Sequence, residues 1–135
     1  MSILVVLDTN IPILLAKGLF HLDSEIVRIL PQKHKIVFLS ACMKELDYLA
    51  QRNPKLVREV SFAKQLITKY EILDYDPTEI RTTDSKIVEF ALENKNNSII
   101  VTNDNGLRKR LRKNNLPVIF IKTHGHLELV GNITF

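Results

Sequence analysis

Ser98-Ile-Ile-Val-Thr-Asn-Asp-Asn-Gly-Leu-Arg-Lys-Arg-Leu-Arg-Lys113 is the stretch that decides the fold. Its apolar run, Ile99-Ile100-Val101, is rich in β-branched residues and suits a buried strand. Thr102-Asn103-Asp104-Asn105-Gly106 then breaks the run with turn and cap residues. Beyond them Leu107 and Leu111 stand one helical turn apart. Arg108, Lys109, Arg110, Arg112 and Lys113 cover the rest of that helix's circumference. So an acid stands where a strand ends, beside the start of a strongly basic helix. In an open α/β sheet, ligands bind outside such strand ends. A carboxylate there suggests metal-assisted chemistry on a polyanion.

Outward from this stretch the same alternation repeats. Ile3-Leu-Val-Val-Leu7 is a continuously apolar strand that ends in Asp8-Thr9-Asn10. A helix is expected over residues 11–16, with Asn10 as its N-cap and Pro12 in its first turn. A second helix runs from about Asp23 to Leu30, and Ile36-Val-Phe-Leu39 is the next strand. Ser40 is expected to cap a helix reaching about Arg52, and Asn53-Pro54 to start another ending near Tyr70. Glu71 to Leu73 is a short strand, and Asp76-Pro77 turns the chain. Thr82 or Thr83 caps a helix to about Asn94. Pro117-Val-Ile-Phe-Ile121 is a last buried strand, and the tail from Lys122 carries no clear assignment. Strands alternating with helices imply βαβ units and a mainly parallel sheet with right-handed crossovers.

The chain has 135 residues, enough for one domain with a real core, and no repeat or linker divides it, so residues 1–135 read as a single domain. A hydrophobic fraction of 45% and a charged fraction of 25% are globular values. No apolar run reaches membrane-helix length, and the N-terminal run lacks the flanks of a signal peptide. The single cysteine, Cys42, fits a reducing cytoplasm. The net charge of +4 is unevenly spread: residues 95–113 hold six Lys/Arg and one acid, Asp104. A patch of that sign suits phosphate contacts.

Four of the fifteen acids stand out by position. Asp8 and Asp104 follow apolar strands. Glu45 lies near the apolar edge of the Cys42-Leu46-Leu49-Ala50 stripe of its helix. Asp84 falls inside the Ile87-Val88-Ala91 arc of another. A carboxylate on an apolar face is costly unless it is paired or bound to a metal. Helix capping explains any one of these acids; four together, all at strand ends or in early turns, ask for more. At about 5 Å and an effective dielectric near 20, each pair repels by roughly 3 kcal/mol. A dication would relieve that, and all-oxygen donors select Mg²⁺ or Mn²⁺ over zinc. Glu89 and Glu93 lie off the stripe, Asp47 faces solvent, and Asp74 and Asp76 flank a turn.

Leu7-Asp8-Thr9-Asn10, Lys44-Glu45-Leu46, Asp84-x-x-Ile87 and Thr102-x-Asp104 before a basic helix together resemble the PIN-domain nucleases. The acids are 37, 39 and 20 residues apart, and the resemblance covers essentially the whole chain. The ending looks most like the archaeal branch similar to the eukaryotic small-subunit pre-rRNA processing nuclease, and less like the toxin branch. The resemblance implies a three-layer domain around a five-stranded, mainly parallel sheet of order 3-2-1-4-5, with helices on both faces. It implies a Mg²⁺- or Mn²⁺-dependent endoribonuclease leaving 3′-hydroxyl and 5′-phosphate ends. Asp8, Glu45, Asp84 and Asp104 would hold the metal. Thr102 would orient Asp104 or a water on the metal, and Asn10 would support Asp8. Relatives often carry a second Asp where this chain has Ser85, which weakens any second metal position.

RNA is thus the expected partner, its backbone guided by Arg108, Lys109, Arg112 and Lys113. Two rival readings are a ribosome-assembly RNA-binding module with little catalysis and a toxin restrained by an antitoxin. The sequence leaves room for a homo-oligomer and offers nothing for a membrane. His124-Gly125-His126 is read as a loop or strand-edge feature rather than a metal pair. Cys42 is read as a structural thiol. Phe20, Phe62 and Phe90 are assigned to core or interface, and Tyr48 to the solvent side.

Overall fold

The computed structural model describes residues 2–122, 125–133 and 135. Strands β1 (Ile3–Leu7), β2 (His34–Leu39), β3 (Glu71–Leu73), β4 (Ser98–Val101), β5 (Val118–Ile121) and β6 (Leu127–Val130) form one sheet. Their order is β3-β2-β1-β4-β5-β6. The first five are parallel, and β6 runs antiparallel to β5. Helices α1 (Asn10–Ala16) and α2 (Leu22–Ile29) link β1 to β2. Helices α3 (Ser40–Arg52) and α4 (Val57–Ile67) link β2 to β3, with a 3-10 turn at Pro54–Leu56 between them. Helices α5 (Thr83–Glu93) and α6 (Asn105–Lys113) precede β4 and β5. Helices lie on both faces of the sheet, giving the expected three-layer architecture and the expected order of the five parallel strands.

The apolar strands are buried because both faces are covered: Val5, Val6, Leu7, Val37, Phe38, Leu39 and Val101 are fully inaccessible. Register places Leu7 level with Phe38 on one side and Val101 on the other. The carboxyl ends of the three central strands are therefore flush. The sheet order reverses between β1 and β4, which is where an open α/β sheet forms its ligand crevice. Beyond Leu7 the ladder continues for one bond, with the Asp8 N–H donating to the Val101 carbonyl at 2.9 Å.

Several local expectations differ from what is observed. Asn10 is inside α1, and the N-cap position belongs to Thr9, which makes no side-chain cap bond. Ser40 is likewise the first residue of α3 rather than its cap. Its hydroxyl accepts the Tyr75 N–H at 2.9 Å and so ties the segment after β3 to the head of α3. Asn53 accepts the Lys55 N–H at 3.2 Å, but the turn it starts is 3-10. The α-helix begins only at Val57 and ends at Ile67, short of Tyr70. Thr82 does cap α5, accepting the Ser85 N–H at 3.1 Å.

The sixth strand had no clear sequence signal. Only Leu127 of its four residues is buried. Helix α2 secures its outer edge, where the Leu127 N–H donates to Glu25 Oε1 at 2.8 Å. Arg28 Nη2 in turn donates to the Leu127 carbonyl at 2.7 Å. Two side chains thus satisfy backbone groups that an edge strand otherwise leaves open.

Candidate active site

A cavity of about 650 Å³ opens at the flush strand ends, and Asp8, Glu45, Asp84 and Asp104 all line it, with Asn10 and Asn103. Four different elements supply the acids. Asp8 follows β1, Glu45 lies in the second turn of α3, Asp84 in the first turn of α5, and Asp104 caps α6.

Asp8 is the buried member, only 4% exposed. Its Oδ1 accepts the Thr9 N–H at 2.7 Å and its Oδ2 accepts the Thr102 hydroxyl at 2.7 Å. Burial is the main force raising its pKa, which is pushed up from 3.8 to about 6. The two hydrogen bonds oppose the shift, while the negative charges of Asp84 and Glu45 add to it. Thr102 is itself fully buried, and its hydroxyl oxygen also accepts the Asp104 N–H at 3.0 Å. One hydroxyl therefore fixes the two strand-end acids relative to each other. Thr102 was expected to orient Asp104 or a water on the metal; its side chain binds the backbone of Asp104 and also the carboxylate of Asp8. Asn10, expected to support Asp8, lines the cavity but makes no hydrogen bond to it among the described residues.

Asp104 is exposed, and its carboxylate accepts the Gly106 and Leu107 N–H groups at 3.4 and 3.1 Å. It is an N-cap and a cavity wall at once, held where a helix N-terminus favours negative charge. Asp84 has its pKa raised by burial first, then by the charges of Asp104 and Glu45, against the opposing charge of Arg110. Beneath them Cys42 is fully buried and its thiol is pushed up to about 12, chiefly by burial. It is a buried free thiol, as expected.

Among the described residues, no three Asp, Glu, His or Cys side chains form a ready-made metal group. The donor chemistry nevertheless fits a hard dication: four carboxylates share one cavity, and one of them is buried without a cation. Asp8 and Asp104 are fixed by hydrogen bonds. Asp84 stands within hydrogen-bonding reach of the Asp104 carboxylate, which raises its pKa further, and Glu45 lines the cavity beside them.

The basic helix divides in a way its sequence does not show. Arg108 lies over the Phe120 ring at 4.3 Å and donates to Asn105. Arg112 Nη1 donates to the Leu116 carbonyl at 2.9 Å and passes over Gly131, where φ is +102° and a Cβ would collide with the guanidinium. These two are held by the protein itself, while Lys109 and Lys113 are exposed. The arginine whose charge acts on the acids is Arg110, which donates to Ser85 Oγ at 3.2 Å and opposes the rise at Asp84. Lys17, at the end of α1, lines the cavity itself. Neither was singled out from sequence. Lys17 could have been found, because Asn10, Ile13, Leu14 and Lys17 repeat on one helical face. Arg110 could not, since it depends on α5 packing against α6.

His124 lies outside the described residues, and His126 stands 3.5 Å from Glu25, away from the four acids. Phe20 and Phe90 are core, whereas Phe62 is 48% exposed on α4. Tyr48 is exposed as expected, with the Arg52 guanidinium over its ring.

Comparison with known proteins bears on the family and the fold. The profile of a family described as "PIN like domain" matches residues 5–124. The chain is 33% identical over 132 residues to Ribonuclease VapC4 of Methanocaldococcus jannaschii, covering 96% of this chain and 98% of that protein. The solved PIN domain endonuclease Utp24 superposes with a TM-score of 0.73 at 21% identity, covering 98% of this chain and 96% of that one.

Proposed function

We propose, since this chain belongs to the PIN-like domain family, that it is a metal-dependent endoribonuclease. Asp8, Glu45, Asp84 and Asp104 would hold Mg²⁺ or Mn²⁺ facing an RNA strand. The observation that carries this reading is the convergence of four carboxylates from four elements on one cavity at the sheet's reversal point. A hard dication in such a site supplies activation of water and stabilisation of charge on a phosphoryl group.

The protein's own part is positioning and charge. Thr9 N–H and the Thr102 hydroxyl fix the Asp8 carboxylate, and the α6 N-terminus fixes Asp104. Preset ligands need not reorganise as charge develops on the substrate. Arg110 and Lys17 stand at the margin of the acids, where a phosphodiester needs cations. Lys109 and Lys113 extend the positive field along α6, while Arg108 and Arg112 chiefly hold that helix in place. Hydrolysis would leave 3′-hydroxyl and 5′-phosphate ends.

The decisive experiment is cleavage of single-stranded and structured RNA with Mn²⁺, comparing the wild type with Asp8→Asn and Asp104→Asn. Asparagine still caps a helix, so Asp104→Asn removes a charge and spares α6. Variants that cut as fast as wild type would remove the site assignment.

We place the enzyme in the cytoplasm as a single domain over residues 1–135, in ribosomal RNA processing. A second reading, a toxin bound by an antitoxin, draws on the near full-length match to Ribonuclease VapC4. A small upstream gene whose product co-purifies would select it. RNA binding that needs α6 but shows no metal-dependent turnover would instead select an assembly module.

A further inference from the structure

We infer that the same cavity seats one unpaired base of the RNA against an aliphatic wall beside the acids, so that cutting takes place next to a docked nucleotide. This rests on the ribonuclease reading and adds a substrate requirement to it. The same lining also supplies an apolar wall: the half-buried Leu14 of α1, Leu49 of α3 and Leu56 of the 3-10 turn, with the buried Ile13 of α1. Phosphodiester hydrolysis makes no use of such a wall. Metal, water and phosphate all call for oxygen and charge, and apolar surface left open to water inside an ionic cavity is costly.

Placement on the helices links the two halves. Glu45 and Leu49 are four residues apart on α3, one turn along the same face. On α1 the face runs from Asn10 through Ile13 and Leu14 to Lys17. Each helix therefore carries a polar group and, one turn on, an aliphatic one, the scale on which a nucleotide separates its phosphate from its base. The amides of Asn10 and Asn103 can meet both donors and acceptors of a base edge. Lys17 offers a cation to the adjoining phosphate. At about 650 Å³ the cavity falls within the roughly 300–1,000 Å³ of small-molecule sites.

Acids that bind a dication, an apolar wall, two amides and one lysine together describe a nucleotide. A base inside a duplex cannot enter, because its faces are stacked and its edges paired. Every base has an apolar face, so the wall favours single strands without demanding one sequence.

The test is methyl NMR of the full chain with Mg²⁺, adding 5′-mononucleotides in one series and ribose 5-phosphate in another. Mononucleotides should move the Ile13, Leu14, Leu49 and Leu56 methyl signals through the ring current of the base. The Leu19 and Ile72 methyls should stay in place, and ribose 5-phosphate should leave the wall unmoved. In cleavage assays, Leu49→Ala and Leu56→Ala should raise KM for single-stranded RNA by about fivefold or more with little change in kcat. If the wall responds to mononucleotides and no RNA is cut, the subsite stands and the ribonuclease reading falls. If RNA is cut while the wall ignores every mononucleotide and both variants keep the wild-type KM, the subsite falls alone. Wall signals that move only on adding a co-purified protein would assign the surface to that protein and overturn the proposal.

Discussion

Asp76 and Asp8 are both carboxylates that the fold withdraws from water, and the chain treats them in opposite ways. Asp76, in the segment between β3 and α5, accepts from both Lys44 and Lys86. Those two bonds hold its carboxyl below the usual range. Its surroundings include Asp74, Glu79, Glu89 and Glu93, so this too is an acidic cluster, but one with cations built in. Asp8 has only neutral donors, is nearly inaccessible, and has two further acids raising its pKa. An acid that serves the fold is paired by the fold. An acid left buried without a cation costs stability, and that cost is understandable where an external cation completes the site.

The sharpest way to break this contrast is enzymatic. Asp8→Asn should lower RNA cleavage by about a thousandfold, the order expected for losing a preset charge at a reacting centre. Asp76→Asn should stay within about twofold of wild type. Equal losses would mean that the two clusters do not differ in role.

Stability against pH probes the same difference without any substrate. A carboxyl whose folded pKa lies above its unfolded value stabilises the protein fully below pH 3.8, and this contribution disappears as pH rises through about 6. In metal-free protein, Asp8 should therefore remove about 2.5 kcal/mol between pH 4 and pH 7.5. Urea unfolding of wild type against Asp8→Asn at the two pH values isolates that quantity, with the variant more stable at pH 7.5. Asp76 has the opposite sign: its depressed pKa stabilises above the unfolded value and fades as pH falls. Asp76→Asn should destabilise at neutral pH by about 1 kcal/mol, since it weakens the pairing of Lys86, whose side chain is only 15% exposed.

Added metal sharpens the contrast further. Mn²⁺ at a hundred times its Kd should stabilise wild type and Asp76→Asn by about 2.7 kcal/mol, while Asp8→Asn gains much less. A melting temperature indifferent to Mn²⁺ in wild type would argue that the four acids act separately. The smallest effect belongs to the arginine at the margin. Arg110→Ala should raise KM for RNA about threefold and lift the pKa of Asp84, seen as a pH–rate profile displaced to higher pH.

Much of this was legible in the letters because the relevant physics is local. Continuous apolar runs at Ile3–Leu7 and Ile99–Val101 announce strands covered on both faces, and Asp8 and Asp104 follow them directly. Thr82 announces a cap with the residue type that makes one. Asn10 and Ser40 misled because a cap depends on the backbone of the residue itself, and at both places the helix starts on that residue. β6 escaped because its outer edge is held by Glu25 and Arg28, about a hundred positions earlier in the chain. The basic helix was read correctly as basic, but which cation serves the fold and which faces the acids depends on Phe120, Leu116 and Ser85. No periodicity within α6 encodes those neighbours.

The sequence by itself determined the alternation of strands and helices, and with it a parallel sheet whose carboxyl rim carries acids. Hydrophobic period and cap chemistry act over a few residues and need no partner. Only the tertiary structure decided that Thr102 binds Asp8 as well as the backbone of Asp104, that Arg110 rather than Arg112 turns toward the site, and that aliphatic side chains line the same cavity as the carboxylates. Those facts are distances between segments far apart in the chain, fixed by the packing of helices against one another and against the sheet.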